Sequence, residues 1–237
     1  MVLFNFDLDD FKPKNDRYGH IVGDLILKAV GISLFEILRS TDVGSHFSGD
    51  EYGGILIVEL PPNTKQTDES SAIKKIVSEV VDRVQKKTPE TLEKLIKKAK
   101  EEAEEGTFPE DLTADTVFAD GEQQVSTGYV IVRHDSHGAY SDFSQKADEG
   151  QKCSKMLKNL SIKTGHRLPG PGRVVDFAET KEIGERFSKK ERAYMDAVGG
   201  CNRPIDELIA TGLVLPNTNI KEKIAELIRT ALEEGEK

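Results

Sequence analysis

The segment 42–60, DVGSHFSGDEYGGILIVEL, is the feature that most constrains the fold of this 237-residue chain. Two strand-like runs flank a glycine-centred turn, which is the pattern of a β-hairpin. Because a hairpin is antiparallel, the sheet that contains it must carry antiparallel strands. The turn places Asp50 and Glu51 side by side, as expected either for a solvated surface turn or for half of a metal site.

Strand-like and helix-like segments alternate along the rest of the first 160 residues. Outside the hairpin, apolar patterns predict strands at 1–8 and on both sides of Asp120-Gly121 within 115–134. Amphipathic patterns predict helices within 9–20, 21–40, 71–87, 89–106 and 141–159. Pro89 suits the first turn of the helix at 89–106. This interleaved order predicts an α/β sandwich with a palm-like, mostly antiparallel sheet flanked by helices.

The composition changes near residue 165. The segment 165–177 holds two Pro and three Gly, which predicts a linker or a tight turn into an irregular strand. Helical patterns then follow at 188–198, at 204–210 and from about residue 220. These pieces predict a helical C-terminal appendage that packs on the preceding domain or on a partner chain.

The charge balance limits the classes of partner. A net charge of -9 and a pI near 5.2 argue against nucleic acid, since binding its backbone requires a basic face. A nucleotide needs only one or two local cations and a metal. No apolar run approaches 18 residues and no signal peptide is evident, so we expect a cytoplasmic chain without a membrane span. Cys153 and Cys201 lack the spacing of a zinc site.

Three acids stand at the end of the first predicted strand. Side chains alternate along a strand, so Asp7 and Asp9 point to one side and Asp10 to the other unless a helix has begun. A carboxylate at this end can meet Asp50 on the hairpin turn. Two close carboxylates repel unless a cation lies between them, and such oxygen ligands suit Mg²⁺ or Mn²⁺. The alternative is a set of solvated strand-end acids.

The residues after these acids suggest an anion site and a base-reading site. A short helix opening at DFK would aim free N–H groups at an anion, with Lys12 nearby. Asp24 can accept two hydrogen bonds from guanine, and Asn15 can meet guanine N7 or O6. Adenine lacks that donor pair, so this set would select guanine. The alternative is that Asn15 caps a turn and Asp24 caps the next helix.

Two stretches together identify a family resemblance. FDLDDFKPKNDRYGHIVGD (6–24), followed by RSTDVGSHFSGDEY (39–52), resembles the GGDEF domain of diguanylate cyclases. The signature here reads SGDEY, with Ser48 in place of the first Gly, and His46 stands where the family often has Arg. VSTGYVIV (125–132) and ADEGQKCSKMLKN (147–159) match later family motifs less closely. The resemblance covers roughly 1–60, 70–87 and 123–160.

The resemblance implies an enzyme that condenses two GTP molecules into cyclic di-GMP and releases pyrophosphate. Each domain would hold one GTP, so catalysis would need a homodimer. The alternative is a weak or inactive GGDEF-like module that binds GTP or cyclic di-GMP and regulates a partner. A related cyclase with another product is disfavoured by Asn15 and Asp24.

The resemblance also implies roles for individual residues. It assigns catalysis to Asp7, Asp50 and Glu51, and two Mg²⁺ or Mn²⁺ ions to Asp7, Asp50 and the Leu8 carbonyl. It assigns guanine to Asn15 and Asp24, phosphates to Asp10, Phe11, Lys12 and Lys155, and product inhibition to Arg39 and Asp42. Residues 1–165 would form the domain, without its usual N-terminal helix and with an insertion near 88–118. From its own residues, the Lys/Glu-rich helix at 89–106 has few apolar positions and is expected to be solvated on most faces. Residues 166–237 would form the helical extension.

Overall fold

Ten helices and strands are present in the part of the chain that the computed structural model describes, which is residues 1–61, 64–104, 106–119, 125–133, 136–164, 174–178 and 180. The strands are β1 (Val2–Leu8), β2 (Val43–Ser48), β3 (Glu51–Leu56), β4 (Val125–Ile131) and β5 (Val174–Asp176). The helices are α1 (Phe11–Tyr18), α2 (His20–Ile37), α3 (Gln66–Glu102), α4 (Ala114–Val117) and α5 (Tyr140–Thr164).

The five strands form one sheet in the order β2-β3-β1-β4-β5. β1 lies at its centre and pairs antiparallel with β3 and β4, while β5 runs parallel to β4. The predicted α/β fold with a mostly antiparallel sheet is therefore confirmed, as is the hairpin of β2 and β3. In the register, Asp7 lies opposite Glu51 on one side and Ser126 on the other.

The two faces of the sheet pack against different helices. Phe4, Phe6 and Tyr52 lie in the core that α2 and α3 cover. On the opposite face, Leu3 and Val130 pack with Ala147 of α5. Because side chains alternate along β1, Asp7 points to the α5 side, as Leu3 does. The helix α5 therefore faces the acidic end of β1.

A close approach of backbones fixes α5 on the sheet. A Cβ atom at Gly128 of β4 would overlap the backbone of α5 around Ala147 and Gln151. One turn further along α5, the Ser154 hydroxyl accepts a hydrogen bond from the backbone N–H of Thr127, with N and Oγ 3.2 Å apart. These contacts hold the next residues of α5 over the end of β1.

The prediction of two helices separated at Pro89 is wrong, because α3 runs without interruption through this residue. Proline removes one helical hydrogen bond and normally bends or ends a helix. Here Leu92 and Ile96, on the far side of the proline, are fully buried. Their burial keeps the second half of the helix in place, so tertiary packing outweighs the local preference.

The part of the chain within 89–106 buries one face and leaves most of its other described residues exposed, as predicted. Leu92 and Ile96 pack with Val22 and Ile26 of α2 in a second apolar cluster. The Tyr18 hydroxyl at the end of α1 donates a hydrogen bond to the Thr116 carbonyl, 2.6 Å away. Residues 88–118 therefore brace the two helices that carry Asn15 and Asp24.

The strand predicted before Asp120 is instead the short helix α4. Thr113 caps it by accepting a hydrogen bond from the N–H of Thr116 at 3.2 Å, and the Glu93 carboxylate accepts from the N–H of Ala114 at 2.7 Å. A capping box of this kind favours a helix start over an extended strand. The strand predicted after Gly121 is confirmed as β4, although Asp120-Gly121 itself lies outside the described residues.

The helices predicted at 188–198, at 204–210 and from residue 220 lie outside the described residues. The strand expected after the Pro/Gly segment is confirmed as β5. The division of the chain at residue 165 stays a prediction. Within the described residues, no helix is both long and apolar enough to cross a membrane.

We expect Gly128→Ala to destabilise the fold by about 3 kcal/mol, the upper end of typical overpacking costs, since backbone atoms of α5 cannot move aside. Gly31→Ala on α2 is the matched control. Its Cβ would meet only Tyr52, at 3.6 Å, and alanine favours a helix over glycine by up to about 1 kcal/mol. Urea unfolding measures both. A Gly128→Ala protein as stable as wild type would contradict the close packing of α5 on β4.

Candidate active site

Asp7 and Lys155 form the central ion pair of the candidate site. The Asp7 carboxylate at the end of β1 is almost fully buried, and Lys155 Nζ lies 2.6 Å from its Oδ1. The Lys155 side chain remains 45% exposed. The sequence predicted both residues as parts of one site, and the structure brings them together.

Asp9 and Asp10 share a second lysine of α5. Lys158 Nζ lies 3.3 Å from Asp9 Oδ2 and 3.0 Å from Asp10 Oδ2. The other oxygen of Asp9 accepts a hydrogen bond from the Ser126 hydroxyl at 2.8 Å. Asp9 is buried, whereas Asp10 stays largely exposed. The sequence assigned Asp10 to phosphate binding but gave Asp9 and Lys158 no such role, although the three-residue spacing of Lys155 and Lys158 places both on one side of a helix.

Burial makes these carboxylates costly to ionise. It raises the pKa of Asp7, which Lys155 opposes and the nearby Asp50 carboxylate reinforces. Burial likewise raises the pKa of Asp9, against the charge of Lys158 and the Ser126 hydrogen bond. Burial alone would lower the pKa of Lys155, but the hydrogen bond and charge of Asp7 keep it above its usual value. The end of β1 is therefore a region where an added cation is favourable.

The hairpin turn that carries Asp50 is joined directly to β1. The backbone N–H of Leu8 donates to the Asp50 carbonyl, with N and O 3.2 Å apart. Gly49 has a φ of +54°, a left-handed conformation that glycine adopts without strain. The turn and the strand end are thus held side by side, as the sequence predicted for Asp7 and Asp50.

His46 has a structural partner within the same turn. Its Nε2 lies 2.9 Å from the Gly49 carbonyl, and its ring stacks on Tyr52 with centroids 4.5 Å apart. The Tyr52 hydroxyl donates to the Leu27 carbonyl at 2.7 Å, and burial raises the pKa of Tyr52 to about 12. Ser48 lies at an irregularity of the β2–β3 register. His46 therefore braces the turn through a hydrogen bond and a stacked ring.

The donor set fits a hard divalent cation. Asp7 and Asp50 supply carboxylate oxygens, and their mutual repulsion would be relieved by a cation between them. Glu51 is exposed and lies opposite Asp7 in the register. Within the described residues, no three His, Cys, Asp or Glu side chains already form a metal-binding group. The predicted set needs only two carboxylates and the Leu8 carbonyl.

The predicted guanine readers lie at the α1–α2 junction. The Asn15 side-chain nitrogen lies 3.0 Å from His20 Nδ1, and its carboxamide packs against Gly23. Asp24 follows Gly23 and is exposed. The alternative in which Asp24 caps the helix is wrong, because α2 begins at His20 with Gly19 as its N-cap.

Apart from Lys155, the residues predicted to bind phosphate lie at the start of α1. Asp10 has a φ of +56° and forms the N-cap of α1, with no hydrogen bond from its side chain to the helix. The backbone N–H groups of the first turn of α1 therefore have no side-chain cap. Phe11 packs against both apolar clusters. Lys12 forms an exposed pair with Asp16 at 3.1 Å.

Asp42, one of the two residues predicted to form the inhibitory site, accepts hydrogen bonds from backbone N–H groups. Its Oδ2 accepts from the N–H of Arg39 and its Oδ1 from the N–H of Ile57, both at 3.0 Å. The first bond closes the turn between α2 and β2, and the second ties the end of β3 to that turn. The guanidinium of Arg39 is not part of these bonds.

The fold and the site together define an α/β domain with acids at a central strand end, lysines from a packed helix and an acidic hairpin turn. Residues 1–98 match the family described as "Diguanylate cyclase, GGDEF domain". This part of the chain is therefore similar to the GGDEF-domain family.

Several characterised proteins resemble the chain over short stretches. Diguanylate cyclase DgcS of Shewanella oneidensis is 46% identical over 57 residues, which cover 24% of this chain and 19% of the relative. Diguanylate cyclase DgcP of Escherichia coli is 39% identical over 80 residues, covering 34% and 22%. Cyclic di-GMP phosphodiesterase PdeR of E. coli is 35% identical over 78 residues, covering 33% and 10%. The chain thus spans less than a quarter of the length of each of these relatives.

Solved structures also resemble the chain. The GGDEF domain of DgcB from Caulobacter crescentus, in complex with c-di-GMP, aligns with a TM-score of 0.45 and 18% identity over 75% of this chain and 77% of that one. The active GGEEF domain of a diguanylate cyclase from Vibrio cholerae aligns with a TM-score of 0.44 and 15% identity over 74% and 81%.

Proposed function

We propose that this domain is a diguanylate cyclase, which joins two GTP molecules into cyclic di-GMP and releases two pyrophosphates. One observation carries the proposal: Asp7 at the end of β1 lies beside the turn of Asp50 and is paired with Lys155 of α5. Two carboxylates for a metal and a half-exposed lysine for an anion suit phosphoryl transfer. The family match of residues 1–98 supports the same reaction.

The proposed metal set consists of the Asp7 and Asp50 carboxylates with the Leu8 carbonyl. They would hold Mg²⁺ or Mn²⁺, with two ions in each site. When bound, such ions polarise phosphate oxygens and lower the pKa of a hydroxyl nucleophile. The pairing of the Asp7 carboxylate with the Lys155 ammonium group supports this assignment, since both partners of a carboxylate here would be positively charged.

The protein groups have separate roles in the transfer. The 3′-hydroxyl of one GTP attacks the α-phosphorus of the other, and the bond to the β-phosphate breaks as its electrons leave on pyrophosphate. Glu51, exposed opposite Asp7, assists removal of the hydroxyl proton. Lys155 moves from Asp7 to the phosphates and offsets the charge of the leaving group. The amides at Asp10 and Phe11, with Lys12, hold the remaining phosphate oxygens.

Asn15 and Asp24 are proposed to read guanine. The Asn15 carboxamide lies against Gly23, beside exposed Asp24, so both groups occupy the same end of α2. Asp24 would accept from the N1–H and the exocyclic amino group of guanine. Adenine offers no such pair and would leave the carboxylate without partners.

Two domains must face each other to form both phosphodiester bonds, so we propose a homodimer as the active form. GTP is available in the cytoplasm, which places the reaction there. Cyclic di-GMP would also act as an inhibitor through Arg39 and Asp42. Because both oxygens of Asp42 already accept backbone N–H groups, the Arg39 guanidinium would supply the main contact.

The second candidate is a GGDEF-like module that binds GTP or cyclic di-GMP and regulates a partner without turnover. The observation in its favour is the hairpin turn, where Ser48 and His46 replace the usual residues. His46 is engaged with Gly49 and Tyr52 rather than offering a permanent cation to a ligand. Incubation with GTP and Mg²⁺, followed by chromatography of the products, separates the two candidates.

Asp50→Asn is expected to lower cyclic di-GMP formation by about a hundredfold or more, since it removes a charged metal ligand worth several kcal/mol at the transition state. Asp82→Asn, a surface acid of α3 that pairs with Lys86, is the control and should leave the rate unchanged. Product chromatography at high protein concentration measures both. Absence of any cyclic dinucleotide from wild type would reject the cyclase, and an unaffected Asp50→Asn protein would reject the metal assignment.

Asp24→Ala is expected to weaken GTP binding by about tenfold or more, because guanine loses two hydrogen bonds to a charged acceptor. ATP binding, which never used that pair, should change by less than about twofold. Glu36→Ala, an exposed acid on the same helix, is the matched control. Calorimetric titration with each nucleotide gives the two dissociation constants of every variant, and from them the ratio of GTP to ATP affinity. Equal weakening of GTP and ATP would remove Asp24 as the base reader.

A further inference from the structure

The ammonium group of Lys158 is less available to a ligand than that of Lys155. Its ammonium contacts two carboxylates, Asp9 and Asp10, and its side chain is only 12% exposed. Lys155 contacts one carboxylate and is 45% exposed. A lysine with two carboxylate partners and little exposure is poorly placed to bind a nucleotide directly. Its effect must therefore pass through the residues that it holds.

Those residues form the turn between β1 and α1. Asp9 is 2% exposed, and both of its oxygens are engaged, one by Ser126 of β4 and the other by Lys158 of α5. Asp10 follows in a left-handed conformation and forms the N-cap of α1. Lys158 thus joins the turn to α5 at a point where a non-glycine residue has an uncommon backbone conformation.

The charge around this turn is unfavourable for an anion. Asp7, Asp9, Asp10 and Asp50 lie close to the end of β1, while Lys155 and Lys158 are the lysines that pair with them. A triphosphate that approaches the first amides of α1 meets Asp10 at the same helix end. Without Lys158, the charges of Asp9 and Asp10 would repel it, since like charges a few ångströms apart interact strongly near a protein surface.

We propose that Lys158 is a positioning residue for nucleotide binding: it neutralises Asp9 and Asp10 and holds their turn so that the amides of α1 can receive phosphate. This inference rests on the phosphate site of the proposed function. The two lysines of α5 therefore have different roles. Lys155 leaves Asp7 to contact the ligand, whereas Lys158 keeps its contacts with Asp9 and Asp10.

The test uses GTP with Ca²⁺ as the probe, titrated calorimetrically into the full chain so that no turnover is needed. Lys158→Met should raise the dissociation constant by about tenfold or more, because a nearly buried pair loses its cation. Lys158→Arg keeps the charge and should stay within about threefold of wild type. Lys152→Met, which removes an exposed pair with Asp148 on the same helix, should bind as wild type does.

The Asp10→Asn variant tests whether Lys158 acts through its charge or only as a structural support. It removes the charge of Asp10 and keeps the pair of Lys158 with buried Asp9. Asp10 is 67% exposed, so this variant should fold. It keeps the backbone amide and removes one negative charge beside the phosphate site, so it should bind GTP more tightly than wild type. The double variant Lys158→Met/Asp10→Asn should recover part of the affinity lost in Lys158→Met. A purely structural role of Lys158 predicts no recovery.

The outcomes separate this inference from the proposed function. Wild type that binds GTP but forms no cyclic dinucleotide overturns the cyclase alone, and the Lys158 comparison still stands. Wild type that binds while Lys158→Met binds equally well overturns the role of Lys158 alone. Asp10→Asn that binds GTP no more tightly than wild type, or no recovery in the double variant, also overturns it. Wild type that binds no GTP overturns both.

Discussion

The pairing of buried carboxylates with lysines of α5 is the interaction on which the site depends. Asp7 and Asp9 end the central strand on the side that α5 covers, where burial raises the pKa of both. Each has a lysine from α5 within 3.3 Å. Those lysines reach the strand end because α5 lies directly on the backbone of β4 at Gly128. Packing of one helix on one glycine therefore determines which cations face these acids.

The same arrangement gives the site two ways to compensate negative charge. Lysine ammonium groups of α5 balance part of the charge of the acids. In the mechanism proposed above, the Asp7 and Asp50 carboxylates would hold the metal, and Lys155 would turn from Asp7 to the phosphates. Lys158, held by Asp9 and Asp10, does not need to move. In the proposed function, a cluster of this kind would let a nucleotide bind without leaving a buried carboxylate unpaired.

Much of this could be predicted from the sequence because the signals are local. The hairpin follows from its glycine turn, and strand alternation places Asp7 and Asp9 on one side. The uninterrupted helix α3 could not be predicted, because Pro89 argues for a break and only the burial of Leu92 and Ile96 overrides it. The contact of Lys158 with two carboxylates could not be predicted from local patterns either, since its partners lie almost 150 residues away along the chain.

A crystal structure with Mn²⁺ and a non-hydrolysable GTP analogue would show directly which groups hold the metal and the phosphates, with the metal located by its anomalous scattering. We expect Mn²⁺ between the Asp7 and Asp50 carboxylates and Lys155 Nζ on a phosphate oxygen, with Lys158 still paired to Asp9. A nucleotide bound with the Asp7–Lys155 pair intact, or Mn²⁺ located away from Asp7, would contradict this expectation.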